Sequence, residues 1–206
     1  MRTTCSYAQQ IATLTLLPIV VGCFGGLPAV KPPAINVEAA AQTAVSEFDA
    51  DGDGAVSKNE ACMGMATTWD RYDQDGDGLA TTEEIQSRFS KWTDGDTGMM
   101  NMRVELRFRG QPLPDANVTM TPFEFLGENM HTSEGVTDTY GYAFMAVPQE
   151  RLPKSQENNY GMQVGLFKVS ITHPDRKIPE KYNVATELSV DLSPDEANTG
   201  VRFNLK

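Results

Sequence analysis

The sequence predicts an α+β chain in two modules, a compact helical pair followed by an all-β antiparallel Greek-key sandwich. Three observations predict it. Two acid- and glycine-rich segments, Asp49 to Glu60 and Asp73 to Glu84, repeat 24 residues apart and are flanked by apolar residues at helical spacing. From Met102 onward the apolar period changes to two, and short runs bounded by Gly, Pro, Asp and Asn recur as far as Leu205. The charge breaks at the same place: residues 44 to 98 carry 13 acids against 4 bases, a net of −9, while residues 99 to 206 carry 14 against 11.

Composition narrows the function before any motif does. The 206 residues have a net charge of −11, which repels phosphate backbones and excludes nucleic acid as an expected partner. At 22% charged and 40% hydrophobic the chain is a folding one, not a disordered acidic tail. Its 2 histidines leave little for His-based catalysis, and no nucleophile and base can be paired, so the expectation is a protein that is not an enzyme.

The first element is an address. Ile11 to Val21 is mostly apolar but only 11 residues long, against the roughly 20 a membrane-spanning helix needs. It ends in Val20-Val21-Gly22-Cys23, which resembles the bacterial lipobox. That resemblance implies a signal peptide over residues 1 to 22, acylation of Cys23 (a palmitate-type anchor), and a mature chain lipid-anchored in the bacterial cell envelope, on its periplasmic or cell-surface side. Residues 23 to 43 then form a tether and the start of the first helix, the Gly- and Pro-rich stretch Phe24 to Ala34 reading as extended or flexible. Cys62 is left as the one cysteine of the mature folded part, a packing residue or, less simply, a reactive thiol.

Residues 44 to 98 hold the helical pair and a linker. Ala40 to Phe48 is the expected entering helix, with Val45 and Phe48 on one side, and Ile85, Phe89 and Trp92 make the apolar stripe of the exit helix. Both twelve-residue segments match the EF-hand calcium loop over its full length. The expected ligands of the first are Asp49, Asp51, Asp53, the carbonyl of Ala55, Ser57 and Glu60; of the second, Asp73, Asp75, Asp77, the carbonyl of Leu79, Thr81 and Glu84. Gly54 and Gly78 permit the sharp turn such a loop needs. A cation of calcium's size takes about 6 to 8 oxygens, and magnesium prefers a tighter octahedron, so the cofactor expected is Ca²⁺ at two sites. Ser57-x-x-Glu60 and Thr81-x-x-Glu84 have the form of capping boxes that start helices. Only Ala61 to Tyr72 separates the loops, which requires short or fused helices bending near Gly64. Ala80 is small for the position that pairs one loop with the other. Met63 and Met65 fill a small core or line a partner groove. Thr93 to Gly98 imitates a third loop without its ligands and reads as a linker.

Residues 99 to 206 hold the sandwich. Met102, Val104, Leu106 and Phe108 alternate with charged residues, and further strands are expected over Asn117 to Phe125, Tyr140 to Val147, Leu166 to Thr172, Thr186 to Leu192 and Gly200 to Leu205. The patterns Gly110 to Val118, Val136 to Tyr142 and Gly165 to Ile171 resemble, in that order, the signatures of carboxypeptidase regulatory-domain-like and transthyretin-like sandwiches. The resemblance implies a non-catalytic binding or stability module. Arg103, Arg107 and Arg109 share a strand face that is either solvated and charge-paired or open to an anionic sugar or partner. His131 falls in a loop and His173 at a strand end before Pro174, and Asn117-Val-Thr119 is a glycosylation sequon, without use if the lipobox resemblance marks the chain as bacterial.

Two functions of different class follow: a calcium-binding, membrane-anchored exported lipoprotein whose sandwich binds a protein or carbohydrate partner, or an accessory or regulatory subunit of an exported enzyme complex.

Overall fold

The computed structural model describes residues 30–95, 98–152, 154, 160–195 and 200–206; the expected signal peptide, Cys23 and most of the tether lie outside these. The fold is mixed α+β. Helix α1 (Val37–Phe48) starts where the Asn36 side chain accepts the Ala39 N–H at 3.2 Å, three residues before the predicted start, and buries Ala40, Ala41, Ala44 and Val45. Strand β1 (Val56–Ser57), helix α2 (Met63–Thr67), a 3₁₀ turn over Trp69–Arg71 and strand β2 (Leu79–Ala80) follow. Helix α3 (Thr82–Thr93) opens on a complete capping box between Thr81 and Glu84, and its Ile85, Phe89 and Trp92 are wholly buried. The Ser57 box is different: Glu60 and Ala61 donate back to the Ser57 carbonyl and close a single turn, and no helix starts there.

The remaining strands are β3 (Met99–Met100), β4 (Met102–Phe108), β5 (Gln111–Pro112), β6 (Asn117–Pro122), β7 (Ser133–Val136), β8 (Tyr142–Met145), β9 (Met162–Gln163), β10 (Gly165–Thr172), β11 (Ser189–Leu192) and β12 (Gly200–Leu205). One sheet has the order β11-β10-β6-β7 and is antiparallel throughout. The other holds β12, β4 and β5, with β8 also against β4. Between them lie the alternate residues of facing strands: Met102, Val104 and Leu106 from one sheet, Val118, Met120, Val169 and Ile171 from the other, all buried. At one edge the sheets are joined by a bridge between Glu134 and Ala146. Gly135 sits at that seam, where a Cβ would stand 2.8 Å from the Phe144 carbonyl.

Two sequence expectations need correction. The sandwich is not antiparallel throughout, because β12 runs parallel to β4, Gly200 opposite Arg103 through Leu205 opposite Phe108. Alternation encodes which face of a strand is buried and says nothing of its direction. The strand expected to reach Phe125 stops at Pro122, and Glu124–Leu126 is a 3₁₀ turn that swings Phe125 between the rings of Phe48 (6.2 Å) and Phe89 (5.9 Å). The described end of the tether touches the fold: the Gly98 N–H donates to the Val30 carbonyl at 2.7 Å, and the Asn129 amide donates to the Ala34 carbonyl at 3.0 Å.

The predicted separation into two modules meets a continuous core. Buried residues of α1 and α3 form one apolar cluster with those of both sheets. Gly64 shows how close the approach is: it does not bend a long helix, it lets α2 lie on β11. A Cβ there would stand 2.9 Å from backbone atoms of Val190 and Asp191, and its N–H donates to Ser189 Oγ at 2.7 Å.

Candidate metal centre

The two acidic loops are built alike. In each, the first aspartate folds the chain by accepting from the glycines: Asp49 takes the N–H of Gly52 at 2.7 Å and of Gly54 at 2.9 Å, and Asp73 takes Gly76 at 2.8 Å and Gly78 at 3.0 Å. Both sixth-position glycines need the freedom they have, at φ +93 for Gly54 and +96 for Gly78. The last carboxylate closes the ring. Glu60 Oε1 accepts from Ala50 and Asp51, and its Oε2 accepts from the Ser57 N–H at 2.8 Å and hydroxyl at 2.7 Å. Glu84 does the same with Gln74 and Asp75 on one oxygen and Thr81 on the other. The loops meet through β1 and β2, with Val56 opposite Ala80, both wholly buried; the small Ala80 does not prevent the pairing.

The carboxylates converge incompletely. One oxygen each from Asp49, Asp51 and Asp53 lie within 4.8 Å of one another in the first loop, and from Asp73, Asp75 and Glu84 in the second. Glu60 and Asp77 stand outside those groups. Asp53 and Asp77 each accept from the residue two ahead, Ala55 and Leu79, which points the two seventh-position peptides the same way in both loops. The Ser57 and Thr81 hydroxyls are committed as donors to Glu60 and Glu84, which leaves their lone pairs as the acceptors. Glu60 is held down to a pKa of about 2, first by the Ser57 hydroxyl and then by backbone N–H groups. Burial pushes Glu84 up, but the N–H and hydroxyl of Thr81 outweigh it and its pKa is lowered. Both closing carboxylates are therefore anions at any ordinary pH, as oxygen ligands to a hard cation must be. These donor sets fit such a cation.

Sequence reasoning missed what flanks the second loop. Tyr72, immediately before it, and Arg88, in the second turn of α3, both grip Asp191 on β11. The Tyr72 hydroxyl donates to Asp191 Oδ2 at 2.9 Å, and Arg88 donates to the same oxygen from Nε and Nη2, each at 3.0 Å. Arg88 Nη1 continues to Asp195 at 2.9 Å, which also pairs with Arg71 at 3.0 Å. Burial works against both charges of the central pair: it raises the Asp191 carboxyl, which Arg88 and Tyr72 pull back, and it opposes the Arg88 charge, which Asp191 keeps in place. Tyr72 is pushed well above its ordinary pKa by burial and by the Asp191 charge, so it keeps its proton and donates. The sequence carried a signal for this, since Arg88 sits at i+3 from Ile85 on the apolar face of α3.

Elsewhere the candidate residues take packing roles. Met65 is in the core, Met63 is 41% exposed, and the Cys62 thiol is pushed up chiefly by burial. His173 bridges the Pro114 carbonyl at 3.0 Å and the Asp175 N–H at 3.0 Å, and the His131 N–H donates to Gln163. The Val136 to Tyr142 motif is a turn: Thr137 is buried and donates to the Leu113 carbonyl, Asp138 accepts from Tyr140 and Tyr142, and Gly141 at φ +80 passes within a Cβ's reach of the Leu106 carbonyl. Among the described residues no helix is long and apolar enough to cross a membrane.

No family model matches the chain, and no curated protein matches it. Among solved structures it is similar to the major plantain pollen allergen Pla l 1, with a TM-score of 0.27 and 15% identity over 52% of this chain and 95% of that one. That likeness is too slight to bear on the fold or the site.

Proposed function

We propose that the protein is a calcium-binding exported lipoprotein, held at the bacterial envelope by an acylated Cys23, whose β-rich part is a non-catalytic binding module. In this reading the two acidic loops are a compact EF-hand pair. The observation that carries it is the convergence of three carboxylates to within 4.8 Å in each of two loops that share one hydrogen-bond scheme. Like charges gathered so closely repel, and a divalent cation is what relieves the repulsion. Asp49, Asp51, Asp53 and Glu60 would hold one ion, and Asp73, Asp75, Asp77 and Glu84 the other, with the carbonyls of Ala55 and Leu79 and the hydroxyls of Ser57 and Thr81 completing each set. The ion supplies charge neutralisation and order, and the chain's own residues supply the cage. The loops' short separation and their seat on the β-rich part suit a structural ion better than a switching one.

Isothermal titration calorimetry of the metal-free protein tests this. Two calcium ions should bind to the wild type and neither to a Glu60→Gln, Glu84→Gln double variant. No heat with wild type, or unchanged binding in the variant, refutes the reading.

A further inference from the structure

The outer face of the second sheet is basic in a protein whose net charge is −11. Its side chains are Arg103, Glu105 and Arg107 on β4, Tyr142 and Phe144 on β8, and Arg202 and Asn204 on β12, in rows fixed by register: Phe144, Arg103, Gly200 in one, and Tyr142, Glu105, Arg202 in the next. Arg109, expected on this face, leaves it, because β4 ends at Phe108 and Arg109 turns away at φ +51. Arg202, from a strand with no expected place beside β4, supplies the third arginine of the face, beside Glu105.

Glu105 offsets one of the three guanidinium charges and holds two of them still. One of its oxygens accepts from Arg107 Nε at 2.7 Å, and the other accepts from Arg202 Nε and Nη2, each at 2.7 Å. Those hydrogen bonds hold its pKa below the usual carboxylate range. Arg103 has no carboxylate partner among the described residues and is fixed by its guanidinium lying 5.0 Å over the Tyr142 ring. Gly200, opposite Arg103, puts no side chain on the face, so a hollow of about 260 Å³ opens there between Arg103, Glu105 and Arg202. Across Arg103 from the hollow, on β8, Phe144 is 72% exposed, and Tyr140, in the turn before β8, is 72% exposed as well.

We propose that this hollow binds an acidic sugar: a uronate-type carboxylate between the guanidinium groups of Arg103 and Arg202, with the apolar C–H face of the pyranose ring laid against Phe144. A planar guanidinium matches a carboxylate in geometry as well as charge, and two of them held in place before binding cost little ordering. Exposed aromatic rings beside the charges favour a ring-shaped ligand over an acidic peptide, which has no flat apolar face to offer. The inference deepens the reading of the β-rich part as a binding module and does not depend on calcium.

The test uses the full chain in chelator, so that calcium cannot bridge carboxylates, with a short oligogalacturonate as probe and its fully methyl-esterified form as control. Calorimetry should show binding of the acid that weakens with added salt, and none of the ester. Arg103→Ala and Phe144→Ala, both at exposed positions, should each weaken it about tenfold or more, with Arg103→Lys recovering part of the loss and all three melting like the wild type. Absence of binding, equal binding of ester and acid, or equal binding of a polyglutamate peptide overturns the proposal. Because calcium is measured separately, loss of this site leaves the two-ion reading standing, and the converse holds too.

Discussion

Replacing Arg88 by alanine should destabilise the helical and β-rich parts together. The Arg88 side chain is 2% exposed and that of Asp191 0%, and among the described residues no other cation reaches Asp191. In Arg88→Ala the Asp191 carboxylate keeps only the Tyr72 hydroxyl at 2.9 Å and the Thr68 hydroxyl at 3.4 Å, and its Oδ1 already lacks a hydrogen bond. Removing one partner of a buried ion pair costs about 3–5 kcal/mol. Loss of the half-exposed Asp195 contact adds about 0–1 kcal/mol. At about 2–4 °C per kcal/mol for a chain of this size, Tm should fall by roughly 6–24 °C. The assay has two built-in reporters. Both tryptophans, Trp69 and Trp92, lie in the helical part, so their fluorescence follows that part, while far-UV circular dichroism follows the sheets as well. The two melting curves should coincide in the wild type and move together in the variant. An Arg88→Met, Asp191→Leu double variant, which removes the charges as a pair, should recover most of the loss. If the tryptophan transition moves and the dichroism transition stays, the parts fold separately and the continuous core means less than its geometry implies.

Gly64→Ala should cost about 1–3 kcal/mol, because its Cβ would push α2 off the Val190 and Asp191 backbone; denaturant unfolding measures it, and a neutral effect would show that α2 is not seated on β11. In the metal-free protein the Glu60 carboxyl should titrate at about 2, read by side-chain ¹³C NMR. Its folded pKa lies below its unfolded one, so its contribution to stability is present above pH about 4.5 and is lost as pH falls toward 2. At calcium 100-fold above Kd each independent site should add about 2.7 kcal/mol, seen as a concentration-dependent Tm. Cys23→Ser should move the protein from the membrane to the soluble fraction, and unchanged partitioning would remove the anchor from the proposal.

What could be read from the sequence was whatever repeats at short range. The acidic loops, the Ile85, Phe89, Trp92 stripe and the alternation of β4 are all local patterns, and the elements they predicted lie within a few residues of those found. The shape of the candidate site was legible for the same reason, as every contact within a loop spans at most 10 residues. Pairing between distant segments was not legible. Nothing in Ser189 to Leu192 marks Asp191 as the partner of Arg88 103 residues earlier, and nothing in Gly200 to Leu205 gives its direction beside β4. Strand β7 escaped because Ser133-Glu-Gly-Val136 has no alternation to find; its glycine answers to the Phe144 backbone, which no local pattern announces.

The parallel ladder between β12 and β4 also sets an order of events in making the protein. Residues 102–108 lie halfway along the 206 residues, but the neighbour that completes their sheet, residues 200–205, is synthesised about 100 residues later. Until then β4 keeps an open edge with unpaired peptide groups, and Arg107 alone attends Glu105. Asp191, the partner of Arg88, arrives almost as late. Joining β12 to β4 therefore waits on residues 200–205, and loop closure over about 100 residues makes that step slow beside the nearer pairings of β4 with β5 and β8.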